Sequence, residues 1–362
     1  MAIEKLLIIF LIALPGYCQT AKSDNWQYNP PKHYIAYKIS TPITIDGKAD
    51  EPAWKFADWT DDFVDIKGNK KNKPEFRTRA KITWDDNYFY FYAELEEPNV
   101  WADITQRDAV IFHNNDFEIF LKPYTEFPQY CEFEMNAINT VWDLLLMNAY
   151  RVDGPIINNW DIKGLKNAVH VDGTINYPAD KDKGWSVEIA IPRSALNELK
   201  FKNMKSPIPE IWRINFSRVQ WDYKITNGKY EKEKDQYGKF LPEHNWVWSP
   251  QGAIDMHQPE HWGYVKFSDK KPGADKFSVP QNDKIIQALF YLYKKEKEIL
   301  RQNGNYTVDI EELEPLKFVF DNKIFSPKIY LTNFGFEIVF NINYMRTKFV
   351  INEKGFIKQI KY

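Results

Sequence analysis

The chain has 362 residues, which suits two domains of ordinary size or one large β domain. Apolar residues make up 44% and charged residues 27%, so wholesale disorder is excluded. Forty-eight Lys plus Arg against 50 Asp plus Glu leave a net charge of −2, and no basic excess exists to displace counterions from a nucleic acid. No nucleic-acid partner is therefore expected. The unusual feature is aromatic: 25 Phe, 21 Tyr and 13 Trp, while Gly numbers only 15.

In chain order, Lys5 precedes an apolar run from Leu6 to Leu14, followed by Pro15, Gly16, Tyr17, Cys18 and Gln19. A short basic start, an apolar segment too short to span a bilayer, and a small-residue end read as a secretory signal over 1–18. Export to the periplasm or the extracellular space follows. Lipid anchoring through Cys18 is disfavoured because Tyr17, just before it, is not small. With Cys18 removed, Cys131 has no partner for an intramolecular disulfide. No later stretch is long and apolar enough to cross a membrane.

From Tyr34 to Phe267 short alternating runs are separated by turn residues. Arg77 to Trp84 and Tyr88 to Leu95 flank Asp85-Asp86-Asn87 and predict a hairpin. Asp116 to Leu121 alternates Phe117, Ile119 and Leu121 with Asp116, Glu118 and Phe120. Cys131 to Ala137 alternates Phe133, Met135 and Ala137 with Glu132, Glu134 and Asn136. Trp185, Val187, Ile189 and Ile191 form a further stripe, with Ser186 and Glu188 opposite, and Ile211 to Trp221 is a fifth strand of this kind. Many short strands of period two predict an all-β chain, an antiparallel β-sandwich over 34–267. Asp269 to Asn282 reads as a linker. Beyond it a helix over Asp283 to Arg301 and β runs at Leu316–Phe320, Phe336–Ile342 and Phe349–Ile351 predict a small α+β appendage over 283–362. It could also pack on the sandwich as part of one domain.

Ile45-Asp46-Gly47-Lys48-Ala49-Asp50-Glu51-Pro52-Ala53-Trp54 resembles the opening signature of carbohydrate-binding module family 9-like domains. The resemblance continues through Asn115 to Phe120, Glu132 to Ala137, Thr140 to Leu146, Trp160 to Leu165 and Gly184 to Pro192. It closes with Trp212 to Arg218, Trp246 to Pro250 and Pro259 to Gly263. It implies a secreted bacterial β-sandwich that binds saccharides without cleaving them. It also implies that specificity does not carry over. The places of the family's two stacking tryptophans hold Phe112-His113 and Met256-His257, and Glu134 stands where the pattern has an arginine.

The physics of sugar recognition points the same way. A pyranose stacks its C–H face on an aromatic ring, and its hydroxyls need amide, carboxylate or guanidinium partners. Candidate carbohydrate-binding residues are Trp142, Asp143, Arg151, Trp160, Arg218, Gln220, Trp246 and Trp248, tryptophans in polar stretches together with their polar neighbours. For each tryptophan, anchoring the core is the competing role. Trp185 and Trp212 belong to the core, and Trp54 and Trp59 are expected to plug one end of the sandwich. Asp116, Glu118, Glu134, Asn136 and Arg213 are expected to form a structural polar network, in which the acids pair with Arg213 or Arg218 and Glu188 could join.

No ligand spacing for zinc or iron occurs. Calcium could be held by Asp61, Asp62 and Asp65 or by Asp180 and Asp182, and haem would have Met256-His257 available. The expected function is non-catalytic capture of poly- or oligosaccharide at the bacterial envelope, in support of carbohydrate catabolism. One rival is a glycoside hydrolase or hydrolase subunit, since two carboxyls on one strand face could reach hydrolytic spacing. Another is an envelope protein-interaction module that has lost the sugar site, with the C-terminal appendage as a possible surface for the partner.

Overall fold

The computed structural model describes residues 26–123, 127–199, 210–313 and 317–362. The expected signal over 1–18, with Cys18, lies outside the described residues, as does Leu316. Two sheets face each other. The larger runs in the order His33–Tyr37, Gly263–Ser268, Glu210–Gln220, Asp116–Lys122, Tyr130–Asn136, Val141–Leu146 and Ile156–Ile157. His244–Val247 also pairs with Glu210–Gln220, along its C-terminal part. The smaller sheet runs Thr78–Trp84, Tyr88–Glu96, Gly184–Pro192 and Lys166–Asp172. The expected β-sandwich is therefore present, with one difference from a purely antiparallel design. His33–Tyr37 pairs in parallel with Gly263–Ser268. A parallel edge needs a long connection rather than a turn, and the whole sandwich is threaded between these two strands.

Period-two burial explains the core. Phe117, Ile119 and Leu121 meet Phe133, Met135, Trp212, Ile214 and Phe216 from one sheet and Phe89, Phe91, Val187 and Ile189 from the other. Cys131 is a free, buried thiol within this core. The outer faces are less polar than alternation predicts. All seven residues of Asp116–Lys122 and all seven of Tyr130–Asn136 are buried. Ile66, Ile111, Val247, Met256 and Trp262 form a second apolar layer over Phe120, Tyr130, Trp142, Leu144 and Leu146.

The outer face of the smaller sheet is covered by the Ile45-to-Trp54 signature, and Glu188 explains why. Its Oε2 accepts the N–H groups of Asp46 (2.8 Å) and Gly47 (3.1 Å), and its Oε1 accepts Trp54 Nε1–H at 2.8 Å. Gly47 has φ +91°, and a Cβ there would lie 2.6 Å from the His170 nitrogen. Glu188 thus belongs to the opposite sheet from Asp116 and Glu118 and cannot join their network. Trp54 and Trp59 pack on Tyr92 at 5.7 and 5.9 Å, over a sheet face rather than plugging an end.

The C-terminal unit is α+β: a helix Asp283–Asn303, a hairpin Phe318–Phe320 with Lys323–Phe325, and a four-stranded meander from Lys328 to Lys361. Leu289, Leu292 and Tyr293 of the helix meet Phe318, Phe336, Ile338 and Phe349 in a separate core. This unit is fastened to the sandwich at the helix start. Asp283 is fully buried and accepts from Arg213, from Tyr264 Oη at 2.9 Å and from Tyr28 Oη at 2.9 Å. Arg213 is therefore not part of the acidic network near Glu118. Its strand neighbour Ile214 faces the core, and Arg213 points the other way, to the C-terminal helix.

Candidate saccharide-binding site

The expected sugar-contact residues are distributed rather than gathered. Trp248 is 1% exposed, and a Cβ on Gly263 would come 2.4 Å from its ring. Trp160 is also in the core, its Nε1–H donating to Glu198 at 2.6 Å. Both therefore pack, contrary to the sugar-contact expectation. Asp143 is buried and held by Arg107 and the Ile162 N–H. Arg218 is buried on the core side, where it donates to Glu97 (3.0 Å), Gln220 (2.7 Å) and Thr78 (3.0 Å). Arg151 forms a bidentate pair with Glu260 at 3.1 and 2.9 Å and lies over Phe290, at the seam with the C-terminal unit. Gln220 and Trp246 border an open groove with Phe76, Trp221 and Tyr223. Trp142 lines a different opening, on the outer face of the larger sheet.

That opening is a cleft of about 410 Å³. Its floor follows from strand register. Glu118 lies opposite Glu134, and Glu134 lies opposite Trp142, across three consecutive antiparallel strands. Glu132, two residues before Glu134, shares the face. Phe112 forms one wall; Tyr150, Met256 and His257 belong to the other, and Tyr150 meets the His257 ring edge-on at 4.1 Å. Phe112 and Met256-His257, which the resemblance sets at the places of the stacking tryptophans, all line this cleft. Trp142 lies on a strand, Val141–Leu146, and not in a loop.

The floor is strongly acidic. Carboxylate oxygens of Asp116, Glu118 and Glu134 lie within 4.8 Å of one another. Burial pushes the Glu118 carboxyl up to about 7 and holds Asp116, Glu132 and Glu134 well above the usual carboxylate range. One Glu134 oxygen accepts the Phe112 N–H at 3.0 Å, and Asp116 Oδ1 accepts the Val219 N–H at 3.1 Å. The pairing with Arg213 or Arg218 expected for these acids is not made; Arg213 goes to Asp283 and Arg218 to Glu97. Asn136 turns away from the cleft, donating to Ile104 O and accepting Ile138 and Thr140 N–H at the next turn. Opposite the acids, burial and Arg151 lower His257 to about 3, and its Nδ1 lies 2.7 Å from the Tyr130 hydroxyl.

Two residues that line the cleft each bury a polar atom with no hydrogen-bond partner, Glu118 Oε2 and Trp142 Nε1. One can only accept when ionised and the other can only donate. Among the described residues a second acidic trio, Asp108, Asp143 and Asp161, has the spacing to hold a cation, but the Arg107 guanidinium already bridges it. Neither trio includes the aspartates expected to hold calcium. Asp61 pairs with Lys32, Asp65 accepts the Lys67 N–H, and Asp182 accepts the N–H groups of Val100 and Thr174.

The signal that could have revealed Glu132 as a floor residue was present in the alternation of Cys131 to Ala137. The contributions of Glu243, Asn245 and Asp255 had no such signal, because they come from the His244–Val247 strand and its flanking segments, outside the alternating runs.

The sandwich thus carries on its outer face a cleft with aromatic and acidic lining. Residues 45–206 match the family described as carbohydrate family 9 binding domain-like. A Bacteroides uniformis protein considered to bind carbohydrate is 16% identical, covering 66% of this chain and 100% of its own, with a TM-score of 0.48. A family 9 carbohydrate-binding module from Caldicellulosiruptor kristjanssonii, solved with cellotriose, is 17% identical over 69% of this chain and 100% of its own, with a TM-score of 0.41. The same module solved with glucose gives 17%, 68%, 100% and 0.41. No curated protein matches the chain significantly. Among the described residues no helix is long and apolar enough to cross a membrane.

Proposed function

We propose that the chain binds a saccharide in the outer-face cleft without cleaving it. The observation that carries this reading is that two cleft-lining residues bury unpartnered polar atoms, Glu118 Oε2 and Trp142 Nε1. A sugar hydroxyl donates and accepts, so adjacent hydroxyls of one ring answer both atoms. Phe112 and Tyr150 bring aromatic rings into the lining, the residue type on which the apolar side of a sugar stacks. Titration of the purified chain with an oligosaccharide panel, following tryptophan fluorescence, tests this. A saturable change lost in Trp142→Phe supports it, and an unperturbed signal across the panel refutes it.

Export and a place at the bacterial envelope, in support of carbohydrate catabolism, extend this proposal. A protein partner at the C-terminal unit is a further part of it. Hydrolysis is the second reading, favoured by Glu118, Glu134 and Asp116 oxygens within 4.8 Å and a Glu118 carboxyl at about 7. Release of reducing ends from the bound glycan would establish it over simple binding.

A further inference from the structure

The charge of the cleft narrows its ligand; this inference rests on the reading of the cleft as a saccharide site. Five carboxyl side chains line it, Glu118, Glu132, Glu134, Glu243 and Asp255, with no lysine or arginine among the lining residues. Asp255 is satisfied by the His257 N–H and Gln258. Among the described residues no cation pairs with the others. Arg218 is engaged from the core side by Glu97 and Gln220, and Lys232, which approaches Glu243 from the rim, donates to His113 O and covers Trp221.

Trp142 adds an opposite demand. The residue is 9% exposed, and its Nε1–H has no acceptor. A bare cation would meet the carboxylates and leave the indole donor unanswered. A neutral sugar would meet the indole and leave the crowded carboxyls, which burial pushes towards their protonated form, with no charge to hold them ionised. A ring bearing both an ammonium and hydroxyls answers both. Aromatic walls favour such a ring twice, through stacking of its apolar face and through attraction of the cation to the π face.

We propose that the cleft selects an amine-bearing saccharide, a deacetylated hexosamine unit, with its ammonium against Glu118 and Glu134 and a hydroxyl oxygen on Trp142 Nε1.

The test is calorimetric titration of the full chain at pH 7 with the glucosamine trimer, the N-acetylglucosamine trimer and cellotriose. Each is run with a chelator and again with added calcium. The expected result is at least tenfold tighter binding of the amine trimer than of the other two, independent of calcium. Glu134→Gln should cut that preference to about threefold or less while circular dichroism shows a folded chain, and Glu243→Gln at the rim should reduce it partially. Equal binding of cellotriose or of the acetylated trimer overturns the charge selectivity and leaves the saccharide reading standing. Cellotriose binding that appears only with calcium replaces the ammonium with a bridging metal and also overturns it. Failure of all three sugars to bind overturns both readings together.

Discussion

Glu118 and Glu134 stand directly opposite each other on neighbouring antiparallel strands, both buried. Like charges at directly opposed positions destabilise a sheet, and burial adds to the cost. The arrangement sacrifices stability where the cleft floor needs acceptors. Glu134→Gln removes one of the two charges and keeps the shape. It should raise the melting temperature at pH 8 by a few degrees, equivalent to about 1 kcal/mol. A lower melting temperature would show that the Glu134 bond to the Phe112 N–H outweighs the repulsion.

The pH dependence follows from three raised carboxyls. Glu118, Glu188 and Glu296 are each pushed up to about 7 from an ordinary 4.5 by burial. Each holds its proton more tightly folded than unfolded, so the unfolded chain binds fewer protons in this window. Their stabilising contribution is complete below about pH 4.5 and is lost as pH rises towards 7, at up to ~1.4 kcal/mol per pH unit and group. Glu260 runs the other way. Arg151 and Lys294 hold it down to about 2, and its contribution is lost only as pH falls below the ordinary carboxylate range. The urea midpoint should therefore decline between pH 5 and pH 7.5, and Glu118→Gln should flatten the decline. A midpoint that rises over that range contradicts the assignment.

Arg213 and Asp283 tie the sandwich to the C-terminal helix. Both are buried, so breaking the pair leaves a charge without compensation. Asp283→Ala should cost about 3–5 kcal/mol and loosen the seam. Limited proteolysis should then cut the 269–282 segment faster than in the parent chain, and an unchanged cleavage rate would count against a fastening role.

Gly47 and Trp248 test the scaffold apart from the cleft. Gly47→Ala places a methyl group 2.6 Å from the His170 nitrogen at φ +91°, and should destabilise by about 1–3 kcal/mol. Trp248→Ala empties a core position and should cost about 3–5 kcal/mol. Trp142→Phe should leave the melting temperature within about two degrees and weaken saccharide binding. Chemical denaturation beside sugar titration separates the two tryptophans, and equal effects on stability would erase the distinction.

Much of the architecture was legible because burial has period two. The Asp116, Cys131, Trp185 and Ile211 runs each match a strand of the sandwich to within one residue at either end, and Asp283 to Arg301 lies within the helix Asp283–Asn303. The same alternation aligned Glu118 with Glu134. What a single sequence determines here is local: which residues share a strand face, where turns interrupt them, and that the Ile45-to-Trp54 segment carries a family signature. Which tryptophans touch an opening was decided only by tertiary structure. Trp248 and Trp142 look alike in sequence, yet Gly263 admits the ring of one into the core while loops over the outer sheet leave the other at a cleft wall. The partners of Arg213 and Arg218 were decided the same way. Alternation states that a side chain leaves the strand on one face or the other. Only the packing of distant segments, Glu97 for one and Asp283 for the other, sets what it meets there.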